Sequence, residues 1–443
     1  MRYALLLVAL VACTKPAAHA PELGRVVVIS VDGMMPDVYL DPDAHGLHVP
    51  TLRALVAGGA SGRVHGVMPT VTYPSHTTLV TGVPPAVHGI VSNKPIDPLA
   101  KNQDGWWWYA EDIKVPTLYQ AVEAAHGQAA LITWPVSVGA HASIVVPEYW
   151  RAGTPDDQKL VRALSTPGIL DEAEQIEPQL WSYLTPPEIR DHAQISIARA
   201  VIAKHHPDLV LIHVFALDDA QHAHGPWSDE AKATLEAIDK ELGVLLADLQ
   251  HSPDWPRTSL VVVSDHGFAP IDHELRLGAL FVRHGLIRLD ADGNVASADV
   301  GVVAAGGSAL IYVLDPSKQQ AIDAAVVELG DRVARRIDPT ELAKLGADPR
   351  ASFALVAAPG NGFSEKRSGD VVVEIGPHGT HGWPPTDPAM ASSLIAFGPN
   401  VPHVDLGAVD MLDIAPTLAA LLGVELPRAV GHAIAAVKPA FRR

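Results

Sequence analysis

The chain has 443 residues, of which 48% are hydrophobic and 19% are charged, and its formal net charge is −18. This composition is that of a folded globular protein, and it excludes disordered and collagen-like chains. The negative charge also argues against binding to nucleic acid polymers through a basic surface. An acidic protein that binds anionic substrates needs local positive charge, which bound metal ions can supply.

The first 20 residues have the pattern of an export signal. Arg2 precedes an apolar run, Ala4 to Ala12, that is too short to cross a bilayer as a transmembrane helix. The segment ending at Cys13 resembles a bacterial lipobox, in which Cys13, the single cysteine of the chain, would carry a lipid anchor. The alternative is a plain secretory signal cut after Ala20. Either pattern predicts an exported protein of the periplasm or cell envelope, with membrane contact only through the lipid.

A buried strand is predicted at Arg25 to Val31, because a near-continuous β-branched run is typical of parallel sheets. The strand ends at Asp32. Ligands of open α/β sheets bind outside the carboxyl ends of strands, so Asp32 is a candidate site residue, with a loop cap as the alternative. Pro50 to Val56 is predicted to form a helix that ends before Gly58 and Gly59. This alternation favours an α/β fold with a largely parallel sheet.

The segment Met68 to Asn93 places a hydroxyl group at the start of a helix. Ser75 to Thr81 is predicted to be helical, and its free N–H groups would face Thr72 and attract an anion such as phosphate or sulfate. An ordinary helix cap or turn is the alternative interpretation of Thr72.

Aromatic residues follow this segment in the run GWWWY, Gly105 to Tyr109. Such a cluster predicts either the wall of a ligand pocket, suited to stacking on a nucleobase, or core packing under a loop. A further strand is predicted at Ala129 to Thr133, and it leads to Trp134 and Pro135.

Two more buried strands end in residues that bind metals. The run DLVLIHVFAL leads to Asp218, with His222 four residues later, and on a helical turn this spacing puts both side chains on one face. The run SLVVVS ends at Asp265 and His266. Three strands that deliver carboxylates and imidazoles at the same edge of a sheet predict a metal site there.

The region from about 269 to 371 contains no motif that carries chemistry, and we expect a smaller inserted lobe there. Residues 301–314 are predicted to form a sheet element and residues 319–335 a helix. Two candidate histidines, His378 and His381, follow in the run PHGTHGW. The chain ends in a predicted amphipathic helix within DIAPTLAALLG.

Several of these segments together resemble the nucleotide pyrophosphatase/phosphodiesterase family of the alkaline phosphatase superfamily. They are PTVTYPSHTTLVTG with HGIVSN, DDAQHAHGP, and THG followed by PAM and GPN. One departure is Ser75, where many relatives carry Asn. The resemblance extends from Val26 to Pro427 and implies an alkaline phosphatase-like fold, with one catalytic domain over about 24–435.

The resemblance also implies a role for each matching residue. Thr72 would attack phosphorus, while Asn93 and the Thr72 N–H would hold a non-bridging oxygen. Seven ligands would bind two Zn²⁺ ions, although the residue types do not exclude Mn²⁺ or Fe. The two sets are Asp218, His222 and His381 for one ion, and Asp32, Thr72, Asp265 and His266 for the other. His378 lies outside both sets.

The implied activity is hydrolysis of a phosphodiester or pyrophosphate bond in a small anionic substrate such as a nucleotide, through a phosphothreonine. No Arg adjoins Thr72 in sequence, which favours diesters over monoesters. Tyr73 and the GWWWY run, with Trp107, are predicted to form an apolar wall for the second ester group. Trp134 is a further candidate substrate contact, because it lies where monoester-preferring relatives tend to place basic residues. The alternatives are a phosphomonoesterase or phosphonate hydrolase on the same fold. A sulfatase would need a (C/S)xPxR run that TYPSH lacks, and a non-catalytic zinc-stabilised binding protein would not need Thr72.

Overall fold

The computed structural model describes residues 23–102, 105–151, 156–178 and 187–437. The predicted export signal, including Cys13, lies outside these residues. In chain order the strands are β1 (Arg25–Val31), β2 (Ala60–His65), β3 (Ala129–Ile132), β4 (Ile144–Val146), β5 (Leu209–Val214), β6 (Thr258–Val263), β7 (Ala269–Arg276), β8 (Ile287–Leu289), β9 (Val295–Ala298), β10 (Val300–Ala304), β11 (Ser308–Val313), β12 (Val333–Ile337), β13 (Phe353–Ala357), β14 (Gly360–Ser364), β15 (Val372–Thr380), β16 (Ser392–Phe397) and β17 (Val404–Asp410).

The α-helices alternate with these strands through most of the chain. They are α1 (Asp37–Leu40), α2 (Pro50–Gly58), α3 (Thr72–Thr81), α4 (Pro85–His88), α5 (Leu118–Ala124), α6 (Asp156–Leu164), α7 (Ile169–Ile176), α8 (Pro187–His205), α9 (Ala216–His224), α10 (Asp229–His251), α11 (Leu277–Arg283), α12 (Gln319–Val327), α13 (Pro339–Lys344) and α14 (Ile414–Leu422). Among the described residues, none of these helices is long and apolar enough to cross a membrane.

The central sheet has eight strands in the order β17-β2-β16-β6-β1-β5-β3-β4. Strand β1 lies parallel to both β5 and β6, with Val28 opposite Leu211 on one side and Val261 on the other. Within the described part of the chain, β16 runs antiparallel to both of its neighbours in this sheet. The predicted α/β class with a largely parallel sheet is therefore confirmed.

Both faces of the central sheet are covered by helices, which explains why its strands are almost uniformly apolar. Because successive strand residues point to opposite faces, Val27 and Ile29 pack in one core with side chains of α2, α8 and α10. Val26 and Val28 pack in the other core with side chains of α3, α5 and α14. Each such side chain contributes about 1.5–3 kcal/mol by leaving water.

A second sheet, β10-β11-β13-β12, lies within the region predicted as an inserted lobe. A three-stranded sheet, β14-β7-β15, adjoins it, and the two share a third core that also includes Met68, Trp383 and Met390. This core passes beyond residue 371, so the division into a catalytic domain and a lobe at about 269–371 stays a prediction.

Two predicted elements differ in extent from the observed ones. The helix predicted over residues 319–335 ends at Val327, and Arg335 lies in β12 instead. Gly330, with φ of +56°, lies in the turn between them, a conformation that glycine adopts without strain. The helix predicted at Ser75 to Thr81 also differs, because α3 already begins at Thr72.

Candidate active site

The candidate nucleophile, Thr72, is the first residue of α3, and its neighbour Val71 is extended, with φ of −137° and ψ of 162°. The helix begins three residues before the predicted start, because Pro74 is tolerated in a first turn, where N–H groups have no partner within the helix. Thr72 keeps 8% of its surface exposed, whereas Tyr73 and the residues from Ser75 to Thr81 are 0–1% exposed. Thr72 thus lies at the start of a buried helix.

Asn93 lies beside this helix start, as the resemblance implies. Its side-chain Oδ1 accepts a hydrogen bond of 2.9 Å from the Tyr73 N–H. Because this oxygen already accepts a hydrogen bond, the amide NH₂ group is the part of Asn93 that can donate to an anion near Thr72.

The predicted carboxylates and imidazoles lie at the carboxyl ends of three adjacent strands. Asp32 follows β1, Asp265 and His266 follow β6, and Asp218 lies in the first turn of α9 after β5. The His266 Nε2 atom is 3.3 Å from Asp32 Oδ1 and 3.2 Å from Asp265 Oδ2. The parallel arrangement of β6, β1 and β5 brings these side chains together.

Two further histidines complete the cluster around Asp218. His222, one turn along α9, has its Nε2 atom 3.4 Å from Asp218 Oδ2. His381, which follows β15, has its Nε2 atom 3.8 Å from Asp218 Oδ1. His378 is hydrogen-bonded to the Gly376 carbonyl at 3.3 Å and is not part of either candidate metal-binding group found among the described residues.

Close packing against the second sheet holds His381 in place. The Gly307 N–H donates to the His381 carbonyl at 2.7 Å. At the preceding Gly306, which has φ of +76°, an added Cβ would lie 2.6 Å from the same carbonyl oxygen and 2.2 Å from Thr380 Oγ1. A side chain at this position would therefore push His381 away from Asp218.

The ligand atoms form two overlapping groups rather than two separate sets. Within each group all ligand atoms lie within 4.8 Å of one another, and the groups are Asp32, Asp265 and His266, and Asp218, His266 and His381. His266 belongs to both groups, whereas the resemblance assigned it to one ion and placed His222 with Asp218. His266 therefore lies where the two groups of ligand atoms meet.

The three histidines are held in the tautomer that suits a metal ligand. Their Nδ1 atoms contact backbone carbonyl oxygens, at 2.9 Å for His222 with Gly379, 3.2 Å for His266 with Gly267 and 3.1 Å for His381 with Thr70. The Nδ1–H donates to the carbonyl, so Nε2 is left as the free acceptor.

Four buried ligand atoms have no hydrogen-bond partner among the described residues, and they are Asp32 Oδ1, Asp218 Oδ1, Asp265 Oδ2 and His266 Nε2. Buried polar atoms are otherwise almost always paired, and an unpaired one is costly. The other carboxylate oxygen of Asp265 accepts the Gly33 N–H at 3.1 Å, so its Oδ2 atom is fixed toward the cluster. Oxygen and nitrogen donors of this kind fit a divalent transition metal such as Zn²⁺.

The pKa values of these groups are shifted by burial and by their neighbours. Burial, together with the charges of Asp265 and Asp218, raises the pKa of Asp32 well above its usual value. Burial also raises the pKa of Asp218 to about 6 and lowers the pKa of His266 to about 3. Clustered carboxylates repel one another, and a bound cation reverses that effect and favours their charged forms.

A cavity of about 650 Å³ opens beside the cluster. One wall, the catalytic wall, includes Val71, Asn93, His222 and His381. A second wall, the lobe wall, consists of residues 302–306 and 363–367. The cavity volume is in the range that small-molecule sites have.

Sequence reasoning missed the lobe wall, including its cations Lys366 and Arg367. Lys366 Nζ pairs with Glu274 Oε1 at 2.8 Å and stays 62% exposed. Together with Lys94 these residues bring three cations to the cavity, beside Asp97 and Glu365. The only local signal was the charged run EKR, which is equally typical of a solvated loop.

The predicted aromatic wall is not formed by the residues that were named for it. Tyr73 and Trp134 are buried, with 0% and 1% exposure. The backbone N–H of Trp107 donates to the Asn93 carbonyl at 3.2 Å. None of the three lines the cavity; Trp106 does, with Lys94 Nζ 6.0 Å from its ring centroid. Trp108 packs on Tyr73, so the run GWWWY contributes side chains both to the cavity and to the core.

A helix-start hydroxyl beside carboxylates and imidazoles, at the edge of a largely parallel sheet, defines the alkaline phosphatase-like class of α/β proteins. The family model described as type I phosphodiesterase/nucleotide pyrophosphatase matches residues 26–384, and the chain belongs to this family. The family predicted from the sequence motifs is thereby confirmed.

Individual relatives agree with this assignment. An uncharacterized pyrophosphatase/phosphodiesterase of Schizosaccharomyces pombe is 26% identical over 260 residues, which are 55% of this chain and 45% of that protein. The structure of human ectonucleotide pyrophosphatase/phosphodiesterase 5 has a TM-score of 0.66 at 20% identity, covering 92% of this chain and 96% of the other. An inactive threonine-to-alanine variant of the murine protein, in complex with AMP, has the same TM-score and coverage at 19% identity. The chain thus spans less than half of the curated fungal relative, and the structural likeness confirms the alkaline phosphatase-like fold.

Proposed function

We propose that this protein is a zinc-dependent hydrolase of phosphodiester or pyrophosphate bonds that uses Thr72 as its nucleophile. The observation that carries the proposal is the set of four buried ligand atoms, on Asp32, Asp218, Asp265 and His266, without a hydrogen-bond partner in the described part of the chain. This cluster adjoins α3, because Asp265 Oδ2 lies 3.7 Å from Nδ1 of His76 in that helix. An ordinary helix cap does not need such a cluster.

Thr72 and Asn93 have different roles in the proposed reaction. Bound Zn²⁺ would make the Thr72 hydroxyl more acidic and offset charge on the phosphoryl group. The Oγ1 atom of Thr72 forms a bond to phosphorus as its proton passes to solvent water, and the bond between phosphorus and the leaving oxygen breaks. The leaving oxygen takes a proton from solvent, and water then cleaves the phosphothreonine and restores the hydroxyl. Asn93 donates its amide N–H to a non-bridging oxygen.

We further propose a pyrophosphate-linked nucleotide as the preferred substrate class. The cations Lys94, Lys366 and Arg367 suit a substrate with negative charge beyond the reacting phosphate, and Trp106 offers a flat apolar surface. The AMP complex of the murine relative supports a nucleotide product. The same three cations favour a phosphomonoester as the second candidate, because its terminal phosphate carries an additional charge.

Turnover by the zinc-reconstituted protein tests the proposal. Matched substrates are a pyrophosphate-linked nucleotide, bis(p-nitrophenyl) phosphate, p-nitrophenyl phosphate and p-nitrophenyl sulfate. We expect kcat/KM to be highest for the nucleotide, lower for the simple diester and lowest for the monoester and sulfate. Faster turnover of the monoester than of both diesters, at saturating zinc, would replace this proposal with a phosphomonoesterase.

The export of the protein also stays a proposal, because residues 1–20 lie outside the described structure. Cell fractionation and mass spectrometry of the mature N-terminus test it. A lipid on Cys13 supports an anchored lipoprotein, and cleavage after Ala20 supports a secreted form.

A further inference from the structure

A histidine in the middle of a buried strand, His213 of β5, has no role in the chemistry derived so far. It lies opposite Ser30 of β1, in the run LVLIHV, and is 1% exposed. Its Nε2 atom is 3.0 Å from Asp32 Oδ2, and its Nδ1 atom is 2.8 Å from Glu148 Oε2. A polar side chain among apolar strand residues needs partners, and here both partners are carboxyl groups that are also buried.

The hydrogen bonds of His213 determine which oxygen of Asp32 is available. Each nitrogen-to-oxygen contact needs a proton. Metal binding requires the ionised form of Asp32, and ionised carboxylates only accept, so both ring nitrogens of His213 donate in the metal-binding state. This occupies Asp32 Oδ2, while Oδ1 is left 3.3 Å from His266 Nε2, without a hydrogen-bond partner among the described residues. With both nitrogens used, His213 itself is not a ligand.

Glu148 extends this contact to the nucleophile segment. Its Oε1 atom accepts the Tyr73 hydroxyl at 2.8 Å, and the Trp150 indole N–H contacts the same atom at 3.4 Å. Tyr73 directly follows Thr72, and its N–H holds Asn93. A continuous chain of hydrogen bonds therefore runs from the residue after Thr72, through Glu148 and His213, to Asp32.

We propose that His213 and Glu148 are positioning residues that fix the carboxylate of Asp32 for metal binding and tie it to the nucleophile segment. The proposal rests on the metal site of the proposed function. Without His213, the buried Asp32 carboxylate would lose its partner on Oδ2 and could rotate away from His266 and Asp265. Partners that orient metal ligands commonly change metal affinity by about 10–100-fold.

Zinc affinity, measured by chelator competition, tests the proposal in four proteins: wild type, His213→Gln, Glu148→Gln and His88→Gln. His88 is the matched control, a fully buried histidine that contacts Thr78 Oγ1 at 3.1 Å and, among the residues that the structure describes, no carboxylate. We expect the affinity of one zinc to fall by roughly 10–100-fold in His213→Gln and by about 10-fold in Glu148→Gln. The affinity of His88→Gln should equal that of wild type, even if its metal-free form melts at a lower temperature.

The absorption spectrum of the Co²⁺-substituted protein gives a second readout that general destabilisation would not move. We expect altered visible bands in His213→Gln and Glu148→Gln, and wild-type bands in His88→Gln. If Glu148→Gln has the zinc affinity and the Co²⁺ spectrum of wild type, the proposal is overturned. This holds even if His213→Gln fails to fold. Wild-type protein that binds no metal would instead overturn the proposed function together with this inference.

Discussion

The two walls of the cavity differ in what supports them and in what they present. The catalytic wall presents the imidazoles of His222 and His381 and the amide of Asn93. The buried carboxylates of the adjoining cluster are held by hydrogen bonds such as the 3.1 Å contact from the Gly33 N–H to Asp265. The lobe wall presents small apolar residues, backbone and the partly exposed cations Lys366 and Arg367. Under the proposed function, the catalytic wall would perform the reaction and the lobe wall would select the substrate.

The strongest test of this division is removal of the Thr72 hydroxyl. We expect Thr72→Ala to lower kcat by at least about 1,000-fold, because no other nucleophile is proposed, while most metal binding remains. The matched control is Thr81→Ala, which removes a buried hydroxyl from the last turn of the same helix, where it bonds the Thr77 carbonyl at 2.7 Å. Kinetics and phosphopeptide mass spectrometry measure both outcomes. A phosphoryl group trapped on a residue other than Thr72 would refute the assignment.

The second test asks which histidine belongs to the catalytic wall. We expect wild-type protein to bind two zinc ions per chain and His381→Ala to lose one of them, with activity reduced by about 100-fold or more at limiting zinc. His378→Ala is the control, because its ring lies outside the candidate metal-binding groups of the described chain. Metal analysis after reconstitution measures the ion count. An active His381→Ala beside an inactive His378→Ala would reverse the choice.

The catalytic wall could be predicted from the sequence because local patterns encode it. A β-branched run followed by an acidic residue identified Asp32, Asp218 and Asp265 at strand ends, and the parallel sheet brings strand ends together. Their position as metal ligands still depends on the tests above. His381 depended on the family resemblance, since nothing in its own loop distinguishes it from His378.

The lobe wall and the buried supports could not be predicted in this way. The lobe wall, residues 302–306 and 363–367, is more than 200 residues away from Asn93 in the sequence. Only tertiary packing brings it to the catalytic wall. The aromatic residues illustrate the same limit, because the run GWWWY did not indicate that Trp106 faces the cavity and Trp108 the core. The role of His213 was likewise hidden, since one histidine in an apolar strand does not reveal its partner in the run PEYW.

Substitution of Arg367 tests whether the lobe wall selects the substrate by charge. We expect Arg367→Gln to lower kcat/KM for a pyrophosphate-linked nucleotide by about 10-fold, the effect of losing one charge-assisted hydrogen bond. Turnover of bis(p-nitrophenyl) phosphate, which lacks the additional charge, should stay within about two-fold of wild type. Arg335→Gln is the control in the same region, because Arg335 pairs with the exposed Glu341 and does not line the cavity. Equal losses for both substrates would show that the lobe wall does not select by charge.

The smallest expected effect concerns a buried acid that supports the catalytic wall. Asp191 of α8 accepts the N–H groups of Phe215 and Ala216, at 3.2 Å each, where α9 begins. Burial raises its pKa to about 7, despite these hydrogen bonds. An acid with a raised pKa binds its proton more tightly in the folded chain, so its contribution to stability is complete below the unfolded pKa of about 3.9 and is lost as pH rises toward 7.

Asp191→Asn removes this titration while keeping an oxygen that accepts both N–H groups. We therefore expect the Tm of wild type to fall by about 2–4 °C more than that of Asp191→Asn between pH 5 and pH 8, measured by calorimetry at fixed ionic strength. Asp248→Asn, at an exposed acid on α10 that pairs with Arg199, should follow wild type across the same range. Parallel pH curves for wild type and Asp191→Asn would contradict the prediction. Asp191 would then be an ordinary charged cap of α9, and the catalytic wall would be supported without a titrating group at this position.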